Sequence, residues 1–90
     1  MEIVQDTIPL TQTVDAFADI EFRAVFKNVH TIEWYKDDEP RPEFNDQSTL
    51  LIVRARAVDQ GYYYAIGTGF DGVSFASRMA TLYLNGIFKL

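Results

Sequence analysis

Ninety residues, 48% of them apolar and 23% charged, suffice for one folded domain with a single core but leave no room for a second lobe with a cleft between the two. Thirteen acidic against eight basic residues give a net charge of −5, and no cluster of Lys and Arg relieves it anywhere along the chain, which works against nucleic acid or any other phosphate-backbone partner. Cysteine is absent, and none of Asn28, Asn45 or Asn85 is followed two places later by Ser or Thr; without disulfides or glycosylation acceptors the chain leans towards a reducing, intracellular setting.

From the start of the chain, Met1-Glu2-Ile3-Val4-Gln5-Asp6 has neither the basic opening nor the apolar run of a signal peptide. No apolar segment approaches the length of about 18 residues that a membrane helix needs, so no membrane anchor is expected. The hydrophobic period thereafter is two rather than 3.6. Ile20, Phe22 and Ala24 alternate with Glu21 and Arg23; Ile32 and Trp34 alternate with Thr31, Glu33 and Tyr35. Leu50 and Ile52 lead into Val53-Arg54-Ala55, Tyr63 and Ala65 alternate with the other tyrosines, and residues 73–84 are rich in β-branched, aromatic and aliphatic side chains. Turn signals separate these runs at Lys27-Asn28, 36–40, Asn45-Asp46, Asp59-Gln60-Gly61 and a glycine-rich loop. Short strands without an intervening helix predict an antiparallel sandwich or barrel.

Gly67, Gly69 and Gly72 spell G-x-G-x-x-G after a strand, the spacing of a dinucleotide-binding turn. That motif needs a helix at its last glycine and, about 20 residues on, a carboxylate for the ribose, yet no Asp or Glu follows Asp71. The glycines are therefore assigned to a β-hairpin, where they supply positive φ. Apolar residues at 73, 75 and 79 and then at 80, 82 and 84 slip in phase, which predicts a β-bulge in the last strand.

Leu50-x-Ile52-x-x-Ala55-x-x-x-Asp59-x-Gly61-x-Tyr63-x-Ala65 resembles the run from strand E to strand F of immunoglobulin domains, and Trp34-Tyr35-Lys36-Asp37 resembles the strand C tryptophan of the intermediate set. The resemblance extends over residues 3–84 and implies an all-β, two-sheet Greek-key sandwich, with 1–84 as the immunoglobulin-like domain and 85–90 as tail or linker. It places Trp34 at the centre of the core and makes Tyr63 the corner tyrosine whose hydroxyl returns to the backbone. Ala24 and Ala65 then stand where the inter-sheet disulfide would be, with Asp59, Gly61, Leu50 and Ile52 completing the structural core. Pro9 fits the break between strands A and A′. The short connection from Trp34 to Asp59 departs from the family and implies a shortened C′/D region; a fibronectin type III-like sandwich is the minor alternative.

No catalytic or metal-binding constellation is expected. The single histidine, His30, is assigned to the turn between strands B and C, and Ser48, Ser74 and Ser77 lie outside any nucleophile elbow. Asp37-Asp38-Glu39 lacks the spacing and glycine of a calcium loop and reads as a solvated turn. If Tyr63 and Ala65 point inward, Tyr62, Tyr64 and Ile66 face outward beside Tyr35, and the three tyrosines become the candidate protein-binding surface. Leu51 and Val53 form a competing patch on the other sheet, and Ile87-Phe88 an apolar tail. The expectation is a non-catalytic structural or protein-interaction module without cofactor or small-molecule substrate. Its partners are proteins or neighbouring domains. The resemblance, with the missing cysteines, implies a cytoplasmic setting of titin- and obscurin-type muscle and cytoskeletal proteins; the alternative is an extracellular adhesion or receptor domain that has lost its bridge.

Overall fold

The structure, a computed structural model, describes residues 2–85. Among the described residues nine strands form two sheets: β1 (Glu2–Ile8), β2 (Thr11–Asp15), β3 (Ile20–Lys27), β4 (Val29–Lys36), β5 (Glu39–Pro40), β6 (Thr49–Ile52), β7 (Gly61–Gly69), β8 (Ser74–Ala76) and β9 (Ala80–Asn85). The smaller sheet has the order β1-β3-β6 and the larger β2-β9-β7-β4-β5, with β8 pairing on β7. This is the order of an immunoglobulin-like sandwich in which β1 and β2 are strands A and A′, β3 to β7 are B, C, C′, E and F, and β8 with β9 makes G. Pro9 sits in the crossing from one sheet to the other. Because the chain does not reverse there, β2 runs parallel to β9 while the other pairs are antiparallel.

Alternation places the core between the sheets. Ile20, Phe22, Ala24 and Phe26 of β3 are buried, and on the facing sheet so are Ile32 and Trp34, Tyr63 and Ala65, and Ala80, Leu82 and Leu84. Trp34 and Ala65 are register partners, and Phe22 lies opposite Leu50. The indole N–H of Trp34 donates to the Gln47 carbonyl at 2.7 Å, so the one polar atom of this wholly buried ring is satisfied. Ala24 and Ala65, on strands B and F, have no exposed surface.

The C′/D region is as short as expected. β5 has two residues; a 3-10 turn at Pro42–Phe44 follows, and the chain then enters β6 directly. The gap leaves a recess of ≈ 220 Å³ bordered by Arg41, Phe44, Ile52, Val58 and Tyr63.

The glycine-rich segment is a hairpin, but the three glycines do different jobs. Only Gly72, at φ 82°, has positive φ; Gly67 and Gly69 belong to β7, which corrects their assignment to the turn. Phe70-Asp71-Gly72 forms a three-residue loop closed by the Gly69 N–H bonding to the Val73 carbonyl. Gly67 lies where a Cβ would come within 2.6 Å of the Phe26 ring, so its small size is demanded by packing across the sheets. The phase slip in strand G is a bulge: between the Ala76–Ile66 and Ala80–Tyr63 pairs, this strand has one residue more than β7. Ser77 takes the buried position there. Its N–H donates to the Ala65 carbonyl and its hydroxyl accepts from the Ala65 N–H. Val73, Phe75 and Met79, by contrast, are exposed. His30 also departs from expectation. It lies in β4 at a register shift, exposed, with its ring 4.7 Å from that of Phe70.

Of the expected E segment, Leu50 is fully buried, Ile52 is only half-buried at its edge, and Leu51 and Val53 face solvent. The tail is assigned to 85–90; Asn85 ends β9, while Ile87-Phe88 lies outside the described residues.

Candidate protein-binding face and its corner

The corner before β7 sets the geometry of both sides of the larger sheet. Tyr63 points inward, its ring 5.2 Å from that of Phe22, and its hydroxyl donates to the Asp59 carbonyl. Burial, and secondarily the Asp59 charge, push the Tyr63 phenol far above its ordinary value, so this donor keeps its proton at any physiological pH. Asp59 and Gly61, expected in the core, are instead half-buried corner residues. The Asp59 carboxylate accepts from the Arg56 N–H and ties the 3-10 turn Ala57–Asp59.

Gly61, with φ at 152°, allows an approach no side chain would permit: a Cβ there would fall 2.6 Å from the carboxylate of Asp37. Asp37 uses that space. Its N–H donates to the Tyr62 carbonyl at 2.8 Å and its carboxylate accepts from the Tyr62 N–H at 3.0 Å. The Tyr62 N–H, and next the Lys36 ammonium 3.1 Å away, hold the Asp37 carboxyl below its ordinary value. Asp37 and Asp38 both have positive φ, 51° and 66°, as a tight turn between β4 and β5 demands. The acidic turn read as merely solvated is thus bonded to the start of β7, because the antiparallel pairing of β4 with β7 brings Lys36 opposite Tyr63.

On the outward side, Tyr35 and Tyr64 are register partners whose rings stack nearly parallel, 5.2 Å between centroids and 7° between planes. The Tyr64 hydroxyl donates to Asp38 Oδ1 at 3.0 Å. Partial burial first, and that bond second, raise the Tyr64 phenol above its ordinary value. The three tyrosines do share the outer face, but unequally: Tyr35 and Tyr64 are half-buried by each other, whereas Tyr62 is 50% exposed. A fourth aromatic, Tyr83, was missed. It is likewise 50% exposed and lies on the neighbouring strand two residues beyond Thr81, the partner of Tyr62. The inward alternation of Ala80, Leu82 and Leu84 already implied that Tyr83 points out.

Leu51 of the smaller sheet and, beyond its strands, Val53 and Phe17 are exposed, with the Arg54 guanidinium 5.7 Å from the Phe17 ring centroid. Among the described residues no three His, Cys, Asp or Glu side chains gather as a metal site, and no helix is long and apolar enough to cross a membrane.

No protein-family model matches the chain. No curated protein matches it either. Solved structures do. The eight N-terminal immunoglobulin domains of Down syndrome cell adhesion molecule (DSCAM) isoform 1.30.30 match with 28% identity and a TM-score of 0.78 over 89% of this chain and 12% of that one. A structure addressing Dscam isoform specificity matches with 27% identity and a TM-score of 0.79 over 88% of this chain and 20% of that one. The four N-terminal immunoglobulin domains of Dscam1 isoform 4.44, at 24% identity and a TM-score of 0.80 over 94% of this chain and 21% of that one, share the fold. The chain therefore spans about a fifth or less of these molecules, and what it matches in them is the immunoglobulin-like sandwich.

Proposed function

We propose that this chain is a non-catalytic protein-interaction module of the intermediate immunoglobulin set, one domain of an extracellular, adhesion-type multidomain protein, binding through the outer face of β9, β7 and β4. The observation that supports it is the 27–28% identity with immunoglobulin domains of a cell adhesion molecule over nearly nine-tenths of the chain. The extracellular setting, second of the two weighed on the sequence, has this support. The cytoplasmic, sarcomeric setting has on its side the absence of cysteine, with Ala24 and Ala65 in place of a disulfide, and of glycosylation acceptors.

The exposed halves of Tyr62 and Tyr83 supply the kind of area that anchors interfaces, apolar with a polar tip. The test is binding of the folded domain to an array of purified receptor ectodomains, with Tyr62→Ser and Tyr83→Ser as the paired variant. The expected result is saturable binding to at least one ectodomain, weakened by about 2 kcal/mol or more in the variant, as loss of interface aromatics commonly does. Binding that ignores both substitutions would remove this face from the proposal. The compartment is tested separately by the flanking sequence: a signal peptide or membrane span supports the extracellular setting, and further cysteine-poor modules the cytoplasmic one.

A further inference from the structure

The two outer faces of the sandwich differ in where their cations lie. On the larger sheet the outward positions of β2, β4, β7, β8 and β9 include Glu33 and Tyr35, Tyr62 and Tyr64, and Tyr83. None is Lys or Arg. Lys36, next along β4, has the inward phase and its ammonium is held by Asp37; Arg78 is paired with Asp6 of the other sheet. On the smaller sheet Arg23 and Lys27 alternate outward on β3, sharing that face with Glu21, and Arg54 lies just beyond β6.

Carboxylates flank the aromatic stack at both ends. Glu33 precedes Tyr35 by two residues on the same face, about 7 Å along the strand. Asp38 lies at the other end, one oxygen engaged by the Tyr64 hydroxyl. Aromatic ring faces bordered by carboxylates attract a planar cation, which stacks on the ring while its N–H groups reach the acids. We infer that this face receives an arginine-bearing segment of a partner protein, the guanidinium lying against the tyrosines between Glu33 and Asp38. The inference rests on the protein-binding reading above. A symmetric pairing of two copies through this face is disfavoured, because it would set Glu33 and Asp38 against their own kind without a cation between them.

The test uses nona-arginine as the probe, nona-lysine as its control, and the whole chain labelled for NMR. Saturable shifts at Glu33, Tyr35, Asp38, Tyr62 and Tyr64 are expected, with nona-arginine bound several-fold more tightly than nona-lysine. Glu33→Gln with Asp38→Asn should weaken binding by at least about tenfold, while Glu43→Gln with Asp71→Asn, the same change in net charge away from the face, should alter it by less than about twofold. Asn is chosen at 38 because it tolerates the positive φ there. Shifts scattered over both sheets, or equal loss in the two charge-matched pairs, would reduce the effect to general attraction by an acidic chain and overturn the inference. Concentration-dependent assembly of the chain alone, abolished by Arg23→Gln, would make the occupant a second copy docked by the Arg23 face of its smaller sheet and would equally overturn it. An ectodomain bound through Tyr62 and Tyr83 but indifferent to Glu33 and Asp38 rejects the cationic occupant and leaves the protein-binding face standing; indifference to all four residues rejects the face itself.

Discussion

Trp34 offers a sharp test of the core, because the structure separates its two contributions. The ring is fully buried between the sheets, and its N–H bonds the Gln47 carbonyl at 2.7 Å. Trp34→Ala removes both packing and hydrogen bond, and truncation of so large a buried aromatic costs about 3 to 5 kcal/mol. Trp34→Phe keeps much of the apolar contact and deletes the donor. Gln47 is exposed, so water can reach the carbonyl left behind, and the hydrogen-bond share of the loss should stay near the net value of about 1 kcal/mol rather than the full penalty of a buried orphan. The ordering expected is therefore a modest loss for Phe and a loss for Ala that consumes much of the roughly 5 to 15 kcal/mol available to a domain. Trp34 is the chain's one tryptophan, so its fluorescence disappears with it; urea melts followed by far-UV circular dichroism, compared at equal m-value, give the free energies. A loss below about 1 kcal/mol for the alanine variant would refute the placement of this ring at the centre of the core.

Three further outcomes follow from neighbouring features. Ala24→Cys with Ala65→Cys should form an intramolecular disulfide on oxidation and raise stability by about 2 to 4 kcal/mol through closure of a loop of about 40 residues; free thiols persisting in oxidising buffer would show that the two Cβ atoms are too far apart for a bridge. Gly67→Ala should cost about 1 to 3 kcal/mol by driving a methyl group into the Phe26 ring, and Phe26→Leu in the same chain should recover part of it in thermal melts; a neutral Gly67→Ala would contradict the close approach. Asp37 titrates below its ordinary 3.8 in the folded chain, so its stabilising contribution is present above that value and is lost as pH falls through the depressed one. Urea midpoints should accordingly fall in acid less steeply for Asp37→Asn than for the parent, and identical slopes would deny the Tyr62 bond any energetic role; with the carboxylate side chain 47% exposed the effect is small.

How far the sequence foretold all this depends on the range of the interaction involved. The buried alternations of β3, β4, β7 and β9 were readable because period two reports which face meets the core, and the return of the Tyr63 hydroxyl to Asp59 was readable because it acts within five residues, whereas Gly61 answers to Asp37, 24 residues away. The role of Gly67 was not. Its constraint is the ring of Phe26, on another sheet and far away in sequence, and nothing local distinguishes it from a turn glycine. The same holds for the acidic turn, whose carboxylates are satisfied by the backbone of Tyr62 and the hydroxyl of Tyr64, strand partners known only once the register is known. At the proposed binding face, phase alone gave the direction of Tyr35, Tyr62 and Tyr64 but not their exposure, because stacking between Tyr35 and Tyr64 hides part of each from solvent.

The corner explains why core and face are not independent. Tyr63 fixes the inward side through Asp59 and Phe22, and the residue before it, Tyr62, is fixed on the outward side by two bonds to Asp37. The outward arrangement requires Gly61, since a β-carbon there would fall 2.6 Å from the Asp37 carboxylate and displace it from the Tyr62 backbone. Period two then carries the consequence along β7: once Tyr63 is seated, Tyr62 and Tyr64 have no choice of face, and Asp38, adjacent to Asp37 in the same turn, comes within reach of the Tyr64 hydroxyl. A surface of aromatic rings between carboxylates is thus held in place by the residues that close the core. If the face binds as proposed, that preorganisation keeps the entropic cost of binding small, which is the condition under which a small, shallow face is effective in recognition.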